Sequence, residues 1–558
     1  MIHPHPHPHP QPSAHERRRR HRAFDASNVS RTATAFAQHP HRASPLPAPR
    51  QRRLSLPIVR QVRRWGRALL LLVGVVLLLL ATSARAVPGG LDNTFASGGT
   101  YQFSNAQGWI GFQSAVQSTG KIVTLHSCGT YSTSDLCVTR LQANGSGGID
   151  TTFAAAAAIP GVFRTGDATA QEFGSTLLVD NSDRIIVAGR CGPTSPCIFR
   201  LTANGDLDTT FGTGGYARLP SLITAKGLAL LGDGRIAVAG ECFTSGHYVF
   251  CANRLTADGV QDSTFNSGSV RLIDMSASNN QASDIAVYPD GRMLITGYCD
   301  DSGSAKFCVT RLTLAGALDT SFNGTGIKLY SATGQTGDVS RRVRILPGGR
   351  IILAGQCGVY GNGSTWRFCV AALNDAGQPD AAFAGASFVW FNSVFTSVNL
   401  SLLHVADDGK VLLGGHCNNP PQIMCMLRTN PNGTFDTSFG LGGLSSAVPN
   451  TGGANVYGGF VAPGNKLLLS ALCNVAGTDT TWITCVSRFD LGPPAGQHCS
   501  LDIDDDGFVK PQTDGLLWLR LMLGFRGNAL TQNAVSSGAQ RATAPAIFDH
   551  AYSQCGVR

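Results

Sequence analysis

The sequence predicts an all-β protein, a seven-bladed β-propeller, followed by a small and mainly α-helical C-terminal module. Three observations support this fold class. The chain repeats itself about every 57 residues, each repeat contains strand-like segments joined by hairpin turns, and no long segment between residues 90 and 490 has a helical period. At 558 residues, the chain is also too long for one ordinary core.

The repeat is anchored by the pattern D-x-x-F, which occurs seven times. Its aspartates are Asp92, Asp150, Asp208, Asp262, Asp319, Asp380 and Asp436. After each anchor, a Gly-containing turn leads into an apolar strand such as "GDGRIAVAGEC" (232–242), and the chain returns as "CANRL" (251–255). Roughly four short strands per repeat form one propeller blade. A β-solenoid also repeats, but its coils are usually shorter and need no hairpins.

These units resemble the delta-60 repeat family, whose repeats look like "LDTTFG.GG…DGKI.VAG…ARL..DG". The resemblance covers about 400 residues, with "GDLDTTFGTGG" (205–215) as a clear copy. It implies a secreted or surface bacterial protein with a propeller-like array. The resemblance implies little about catalytic or binding chemistry. The cysteine pairs are not part of the family's repeat unit.

The sixteen cysteines sort into one pair per repeat and one pair in the C-terminal tail. The pairs are Cys128 with Cys137, Cys191 with Cys197, Cys242 with Cys251, Cys299 with Cys308, Cys357 with Cys369, Cys417 with Cys425, Cys473 with Cys485, and Cys499 with Cys555. An exported chain meets an oxidising compartment, so we expect disulfides within each hairpin, between directly opposed strand positions. Zinc binding is the alternative, but the variable spacing and the lack of a companion histidine argue against it.

The two ends of the repeat array are complementary. An arginine follows the second cysteine of each repeat by three residues, except that Ala372 replaces it once, and a D-x-x-F aspartate follows the arginine. Asp92 has no such arginine before it, and Arg488 has no such aspartate after it. We therefore expect residues 91–103 to close the ring beside 473–489, which removes the open sheet edge. The repeated aspartates themselves are expected to be turn caps, and the phenylalanines core anchors.

The N-terminus is predicted to direct export. Residues 1–59 form a low-complexity leader, and 60–86 has the basic, apolar and small-residue regions of a signal peptide. An uncleaved membrane anchor is the alternative. The leader and signal segment together carry 15 of the 44 Lys and Arg residues and 2 of the 35 acids, so the rest has a net charge of −4. A nucleic-acid partner is therefore not expected.

The C-terminal segment is predicted to bind calcium. After the propeller (87–491) and a linker (492–497), the module 498–558 contains "LDIDDDGFVKPQTDG" (501–515), which resembles a dockerin or single EF-hand module. The alternating carboxylates and the glycine are typical of a calcium loop, although the last acid comes one residue late. The expected ligands are Asp502, Asp504, Asp506, the Phe508 carbonyl, Thr513 and Asp514. Only one such loop is visible, so cohesin-type docking is not expected.

Three functions fit these features. The first is a non-enzymatic secreted or surface scaffold whose propeller face binds a protein or glycan, with Trp366 and Trp482 in two variable tips as candidate sugar contacts. The second is a secreted hydrolase or lyase acting on polysaccharide. The third is a structural envelope component without a specific ligand. Because chemistry rarely needs seven equal copies of an aspartate, and no paired acids stand out, the sequence favours a protein that is not an enzyme.

Overall fold

The computed structural model describes most of the chain between residues 88 and 551. The described residues are 88–103, 110–130, 133–143, 148–166, 172–191, 196–301, 303–331, 336–359, 366–385, 388–391, 394–395, 397–417, 422–449, 453–474, 482–492, 503–504, 510–536, 539, 541–549 and 551. The predicted leader and the signal segment lie outside them.

The chain is arranged as a β-propeller, as predicted. It begins with a short strand, β1 (Thr100–Gln102). Three four-stranded antiparallel sheets follow in chain order. They are β2 (Ile110–Val116), β3 (Ile122–Thr130), β4 (Thr133–Leu141) and β5 (Val162–Arg164); β6 (Phe173–Val179), β7 (Ile185–Arg190), β8 (Pro196–Leu201) and β9 (Tyr216–Arg218); and β10 (Thr224–Leu230), β11 (Ile236–Thr244), β12 (His247–Leu255) and β13 (Arg271–Ile273).

The next two repeats share one sheet of eight strands, which corrects the prediction of seven separate blades. Its strands are β14 (Asn280–Val287), β15 (Met293–Asp301), β16 (Ser304–Leu312), β17 (Ile327–Tyr330), β18 (Gly337–Ile345), β19 (Ile351–Gly358), β20 (Arg367–Leu373) and β21 (Phe388–Trp390). One parallel pairing, Ala305 with Gly337, joins β16 to β18, and the Ala305 N–H donates to the Thr336 carbonyl at 2.9 Å. Separate four-stranded blades therefore number five.

The last two sheets complete the ring. One contains β22 (Asn399–Val405), β23 (Val411–Cys417), β24 (Ile423–Thr429) and β25 (Leu444–Ala447), and the other contains β26 (Gly453–Ala462), β27 (Lys466–Asn474) and β28 (Trp482–Asp490). The fourth strand of the last sheet is β1, whose Thr100 pairs with Ser487. The expectation that residues 91–103 close the ring is confirmed.

The first strand of each repeat lies innermost. Strands β2, β6, β10, β14, β18, β22 and β26 each pack against the next, and β26 packs against β2, so they surround the axis of the propeller. Apolar side chains fill the space between neighbouring sheets. Ile236 and Val238 of β11, for example, pack with Ile186, Ile198 and Phe211 of the preceding repeat. These buried layers are the main source of stability.

Seven disulfides link the cysteines within each repeat, as predicted. They join Cys128 to Cys137, Cys191 to Cys197, Cys242 to Cys251, Cys299 to Cys308, Cys357 to Cys369, Cys417 to Cys425, and Cys473 to Cys485. The eighth predicted pair, Cys499 with Cys555, lies outside the described residues, so that disulfide stays a prediction.

The register of these disulfides corrects the expectation of directly opposed cysteines, because the two cysteines of a pair are diagonal. Cys242 lies opposite Val249, and Cys251 lies opposite Gly240. The second cysteines Cys197, Cys308, Cys369 and Cys425 likewise lie opposite a glycine, whereas Cys485 lies opposite Ala471 and Cys137 opposite His126. The Cα atoms of Cys242 and Cys251 are still only 5.8 Å apart, within the range that a disulfide spans.

A glycine opposite the second cysteine recurs because the inner strand approaches it closely. A Cβ atom on Gly240 would lie 1.9 Å from the Thr224 carbonyl oxygen, and one on Gly415 would lie 1.9 Å from that of Asn399. No side chain fits at that distance. The glycine before the last residue pair of "AGEC" and "GGHC" is thus required by the close contact between a blade's first and second strands.

The C-terminal part is helical, as predicted. Its helices are α1 (Leu516–Met522), α2 (Asn528–Thr531) and α3 (Ala544–Asp549), and a wider helical turn (Pro511–Gly515) precedes α1. Leu517, Leu521, Leu530 and Ile547 form a small core. Of the helices in the described part of the chain, none has the length and apolar character needed to span a bilayer.

Candidate functional site

The repeated aspartate and arginine form a structural unit. In the third repeat, Oδ1 of Asp262 accepts hydrogen bonds from the Thr264 N–H (2.9 Å) and hydroxyl (2.7 Å), which is the predicted turn cap. Oδ2 accepts from Nε of Arg254 at 2.6 Å. The Arg254 guanidinium also lies over the Phe265 ring, and it donates to the Leu314 carbonyl of the next repeat. Each unit therefore fastens one repeat to its neighbour.

The unit recurs around the ring. The aspartate–arginine pairs are Asp92 with Arg488, Asp150 with Arg140, Asp208 with Arg200, Asp262 with Arg254, Asp319 with Arg311, and Asp436 with Arg428. In the repeat where Ala372 replaces the arginine, Arg350 from the preceding turn pairs with the repeat aspartate instead. Its Nε lies 2.6 Å from Oδ2 of Asp380, and its guanidinium lies 5.7 Å from the centre of the Phe383 ring.

The calcium residues that the structure describes are Asp504, Thr513 and Asp514. Asp504 is fully buried; its Oδ2 accepts from the Ser536 N–H at 2.7 Å, and its Oδ1 has no hydrogen-bond partner within the described part of the chain. Asp514 is also buried, and its two oxygens accept from the N–H groups of Ile503 (2.7 Å) and Lys510 (2.8 Å). Asp502, Asp506 and Phe508 lie outside the described residues. A buried carboxylate oxygen without a donor fits a cation ligand.

The two tryptophans lie at strand ends and are half-buried. Trp366 directly precedes β20, and its carbonyl accepts from the Val398 N–H at 3.3 Å. Trp482 begins β28 opposite Asn474. The neighbouring tips, 360–365 and 475–481, lie outside the described residues, so the sugar-binding role of these rings stays a prediction.

The inner strands share a β-bulge, and one of them departs from the others in charge. The residue at the bulge is Phe112, Ser175, Lys226, Ser283, Arg341, Ser401 or Tyr457 in successive repeats. The next residue is Gln113, Thr176, Gly227, Asp284, Arg342, Leu402 or Gly458. Two residues further stands Ala115, Leu178, Ala229, Ala286, Arg344, His404 or Phe460. Only β18 has arginine at all three positions.

Arg341, Arg342 and Arg344, here named the axial arginine cluster, lie between two neighbouring inner strands. Nε of Arg342 donates to the Ser401 carbonyl of β22 at 3.0 Å. Nη1 of Arg344 donates to Oδ2 of Asp284, on β14, at 3.3 Å, and the Val343 N–H donates to the same oxygen at 3.0 Å. The cluster thus contacts the inner strands on both sides of β18.

Positive charge exceeds negative charge at this point of the axis. Asp284 is the one acid that an ion pair joins to the cluster among the described residues. Nε of Arg341 is buried and has no hydrogen-bond partner among those residues. Burial lowers the pKa of the Arg341 and Arg342 guanidinium groups, and the like charge of a neighbouring arginine lowers both further. An anion would satisfy the unused donor and offset the excess charge.

His404 adds a neutral proton acceptor to the same region. Burial and the charge of Arg344 lower its pKa, while Asp407 opposes this effect. The lowered pKa favours the uncharged imidazole. These residues were not identified from the sequence. His404 is one of several histidines at different offsets in different repeats, and the spacing of the repeats does not distinguish the three arginines. Aligning the inner strands exposes the run "SRRVR" (340–344) against "ASDIA" (282–286) and "LSLLH" (400–404).

The fold and the repeats define a β-propeller repeat protein. Four segments, residues 181–211, 231–265, 289–322 and 406–439, match the family described as "Domain of unknown function (DUF5122) beta-propeller". This match supports the predicted kind of repeat family. No curated protein matches the chain.

Several solved structures have a similar shape at low sequence identity. A streptogramin B lyase is 11% identical with a TM-score of 0.41, covering 70% of this chain and 96% of its own. The polysaccharide lyase Uly1 is 10% identical with a TM-score of 0.40, covering 74% and 94%. An α-L-arabinofuranosidase from Fusarium graminearum is 11% identical with a TM-score of 0.34, covering 56% and 92%.

These matches correct the expectation that the protein is not an enzyme. That expectation used the equality of the repeats as evidence against catalysis. Propellers of similar shape include polysaccharide lyases and a glycosidase. The repeats here are also unequal at the axis, where the axial arginine cluster lies on one inner strand.

Proposed function

We propose that the protein is an exported propeller that binds an anionic ligand at the axial arginine cluster, and that this ligand is an acidic glycan. The observation that carries the proposal is the presence of three arginines on one inner strand, β18, at aligned positions where the other six inner strands have none. Guanidinium groups recognise carboxylate and sulfate groups through paired hydrogen bonds. Trp366 and Trp482 offer rings for stacking on sugars.

The proposal is tested by binding of charged and neutral polysaccharides to the mature protein. We expect polygalacturonate and dextran sulfate to bind, with affinity that falls as salt is raised, and dextran not to bind. The double variant R341Q/R342Q should bind at least about tenfold more weakly, because each lost charge-assisted bond is worth about 1.5–3 kcal/mol. R271Q, which removes a charge from the outer strand β13, is the matched control. Equal loss in both variants would contradict the proposal.

Turnover of the bound polymer is a second candidate function, favoured by His404. A neutral imidazole beside Arg344 can accept a proton, and the arginine charge would stabilise a developing anion. The same incubations should therefore be followed by size-exclusion chromatography. Shortening of the polymer that is lost in H404A, with binding retained, would identify an enzyme. Binding without shortening would identify a binding protein.

Export through the segment 60–86 and calcium binding by the C-terminal module are part of the proposal. Seven disulfides are consistent with an oxidising, extracellular compartment. Asp504 would contribute its unpartnered Oδ1 to the cation, and Asp514 would hold the loop through the N–H groups of Ile503 and Lys510. Calorimetry of the mature chain should detect calcium binding that D504N abolishes. No calcium heat at millimolar concentration would refute this part.

A disulfide between Cys499 and Cys555 is also proposed, because the two cysteines flank the C-terminal module and every other cysteine already has a partner. This link would tie the two ends of the module together. Peptide mapping without reduction should recover one peptide that contains both residues. Free thiols at Cys499 and Cys555 in the exported protein would refute the pairing.

We also propose that the ring contains seven repeat blades, with two of them in the eight-stranded sheet. The support is that β14–β17 and β18–β21 each keep the strand order of the separate blades, and only the Ala305–Gly337 pairing joins them. A crystal structure of the mature protein would test the count directly.

A further inference from the structure

The first repeat contains a cavity that arises from an insertion in its turn. In four other repeats, a glycine four positions after the anchor phenylalanine donates its N–H back to the phenylalanine carbonyl, as in Gly215 to Phe211 at 2.9 Å. The Gly161 N–H makes the same bond to the Phe153 carbonyl at 2.7 Å, but from eight positions further along the chain. The extra residues lie within "AAAAAIP" (154–160), and they leave the flanking hydrogen bond intact.

The inserted segment forms one wall of a cavity of about 430 Å³. Ala156, Ala157 and Ile159 line this wall. The rest of the lining includes the Cys128–Cys137 disulfide, Val162 and Leu207. The alanine side chains are small enough to leave the space open, and the volume is typical of a pocket for a small organic molecule.

The charged residues of the cavity disfavour an anionic ligand. Arg164 is on the lining, but its Nε is ion-paired with the buried Asp135. Asp206 is on the lining too, is exposed, and has no ion pair within the described part of the chain. The net charge of Arg164, Asp135 and Asp206 is therefore negative. Apolar walls with a negative rim suit a neutral apolar molecule better than an acid.

We propose that this cavity is a binding site for a compact, neutral, apolar molecule with aromatic or branched aliphatic character. The site is separate from the axial arginine cluster, and its occupation does not depend on the proposed function. Binding would be driven by the hydrophobic effect, because the apolar surface of the ligand would leave water and pack against alanine, valine, leucine and disulfide atoms.

Two fluorescent probes that share an apolar body test the site in the mature protein. N-phenyl-1-naphthylamine is neutral, and 1-anilinonaphthalene-8-sulfonate carries a negative charge. We expect the neutral probe to bind with one-to-one stoichiometry, and the sulfonate to bind at least about fivefold more weakly because of the negative rim. D206N should narrow this gap by strengthening sulfonate binding without changing the affinity of the neutral probe.

A second test fills the cavity with a larger side chain and compares this variant with a matched control. A157F places a phenyl ring inside the cavity and should weaken binding of the neutral probe at least about tenfold. A155F adds the same ring to the same segment at an exposed residue that does not line the cavity, and it should bind as the parent does. Thermal unfolding would confirm that both variants fold. Unchanged binding in A157F, or equal losses in the two variants, would overturn the proposal.

Discussion

Arg488 donates from Nε to Oδ2 of Asp92 at 2.9 Å, joining residues that lie 396 positions apart in the chain. The Asp92 N–H also donates to the Arg488 carbonyl at 2.8 Å, and the Arg488 guanidinium lies 4.7 Å from the centre of the Phe95 ring. In other repeats, this aspartate–arginine–phenylalanine unit joins neighbouring repeats. Between Asp92 and Arg488, it joins the two ends of the ring.

Removing the Asp92 carboxylate should loosen ring closure specifically. D92N leaves the Arg488 guanidinium without its ion-pair partner, so we expect a loss of about 1–3 kcal/mol in the free energy of unfolding and faster proteolysis within residues 88–103. D208N removes an equivalent carboxylate inside the ring and should cost stability without exposing that segment. Mass spectrometry of limited digests distinguishes the two. Identical cleavage patterns would mean that the closing pair has no special role.

The protein should lose stability in acid because its repeated aspartates have lowered pKa values. Burial alone would raise the pKa of Asp92, but hydrogen bonds from Thr94 and the charges of Arg488 and Lys466 outweigh it and lower the pKa from 3.8 to about 2. The pKa values of Asp150, Asp208, Asp262, Asp319 and Asp436 are lowered in the same way. A group whose pKa is lower in the folded state stabilises the fold above its unfolded pKa, and that contribution disappears as the group is protonated.

The free energy of unfolding, measured with urea, should therefore be constant near neutral pH and fall steeply from about pH 4 towards pH 2. D262N, which has no carboxylate to protonate at this position, should be less stable at neutral pH and show a shallower acid slope. A wild-type protein that gains stability between pH 4 and pH 2 would contradict this assignment.

Arg350 should be more important than its counterparts in other repeats. Arg235 and Arg292 also contact their repeat aspartates, Asp262 and Asp319, but those aspartates keep Arg254 and Arg311 as partners. R350Q should lower the free energy of unfolding by about 1–3 kcal/mol, and R235Q by less than about 1 kcal/mol. The substitution A372R, which restores the usual arginine, should rescue R350Q. Failure of the rescue would show that Arg350 acts through other contacts.

Two adjacent glycines provide a test of the close approach between the first and second strands of a blade. G415A places a Cβ atom 1.9 Å from the Asn399 carbonyl oxygen and should cost about 1–3 kcal/mol or more. G414A brings its Cβ atom only to 3.3 Å from the Leu402 side chain, and other repeats have alanine there, as at Ala239 and Ala354. It should be nearly neutral in thermal unfolding. Similar costs for both variants would exclude the carbonyl contact as the cause.

The repeats made the fold predictable, whereas the site depends on a departure from them. The unpaired Asp92 and Arg488 predicted ring closure, and one cysteine pair per repeat predicted the seven disulfides. The diagonal cysteine register was missed because it depends on the residue opposite, such as Gly240, and on an inner strand that sequence spacing alone does not locate. The Ala305–Gly337 pairing was not predicted because it is a single backbone contact, and such a contact leaves no pattern in the sequence.

The axial arginine cluster was missed for a different reason. A search for repeats emphasises what the copies share, and Arg341, Arg342 and Arg344 are visible only as differences between aligned copies. Their proximity to Asp284 and His404 depends on the circular order of the inner strands, which places residues about 60 positions apart side by side. The separate cavity has the same origin, since the segment 154–160 is longer than the corresponding turns of other repeats.

Closure by β1 also affects the order in which the chain can mature. Each of the seven propeller disulfides joins cysteines 6 to 12 residues apart, so if the chain is exported as proposed, every hairpin could oxidise soon after it crosses the membrane. Strand β1 emerges first, yet its partner β28 is among the last parts of the propeller to be made. During that interval the growing array has two free ends, and local covalent links hold the hairpins until the earliest strand finds the latest one.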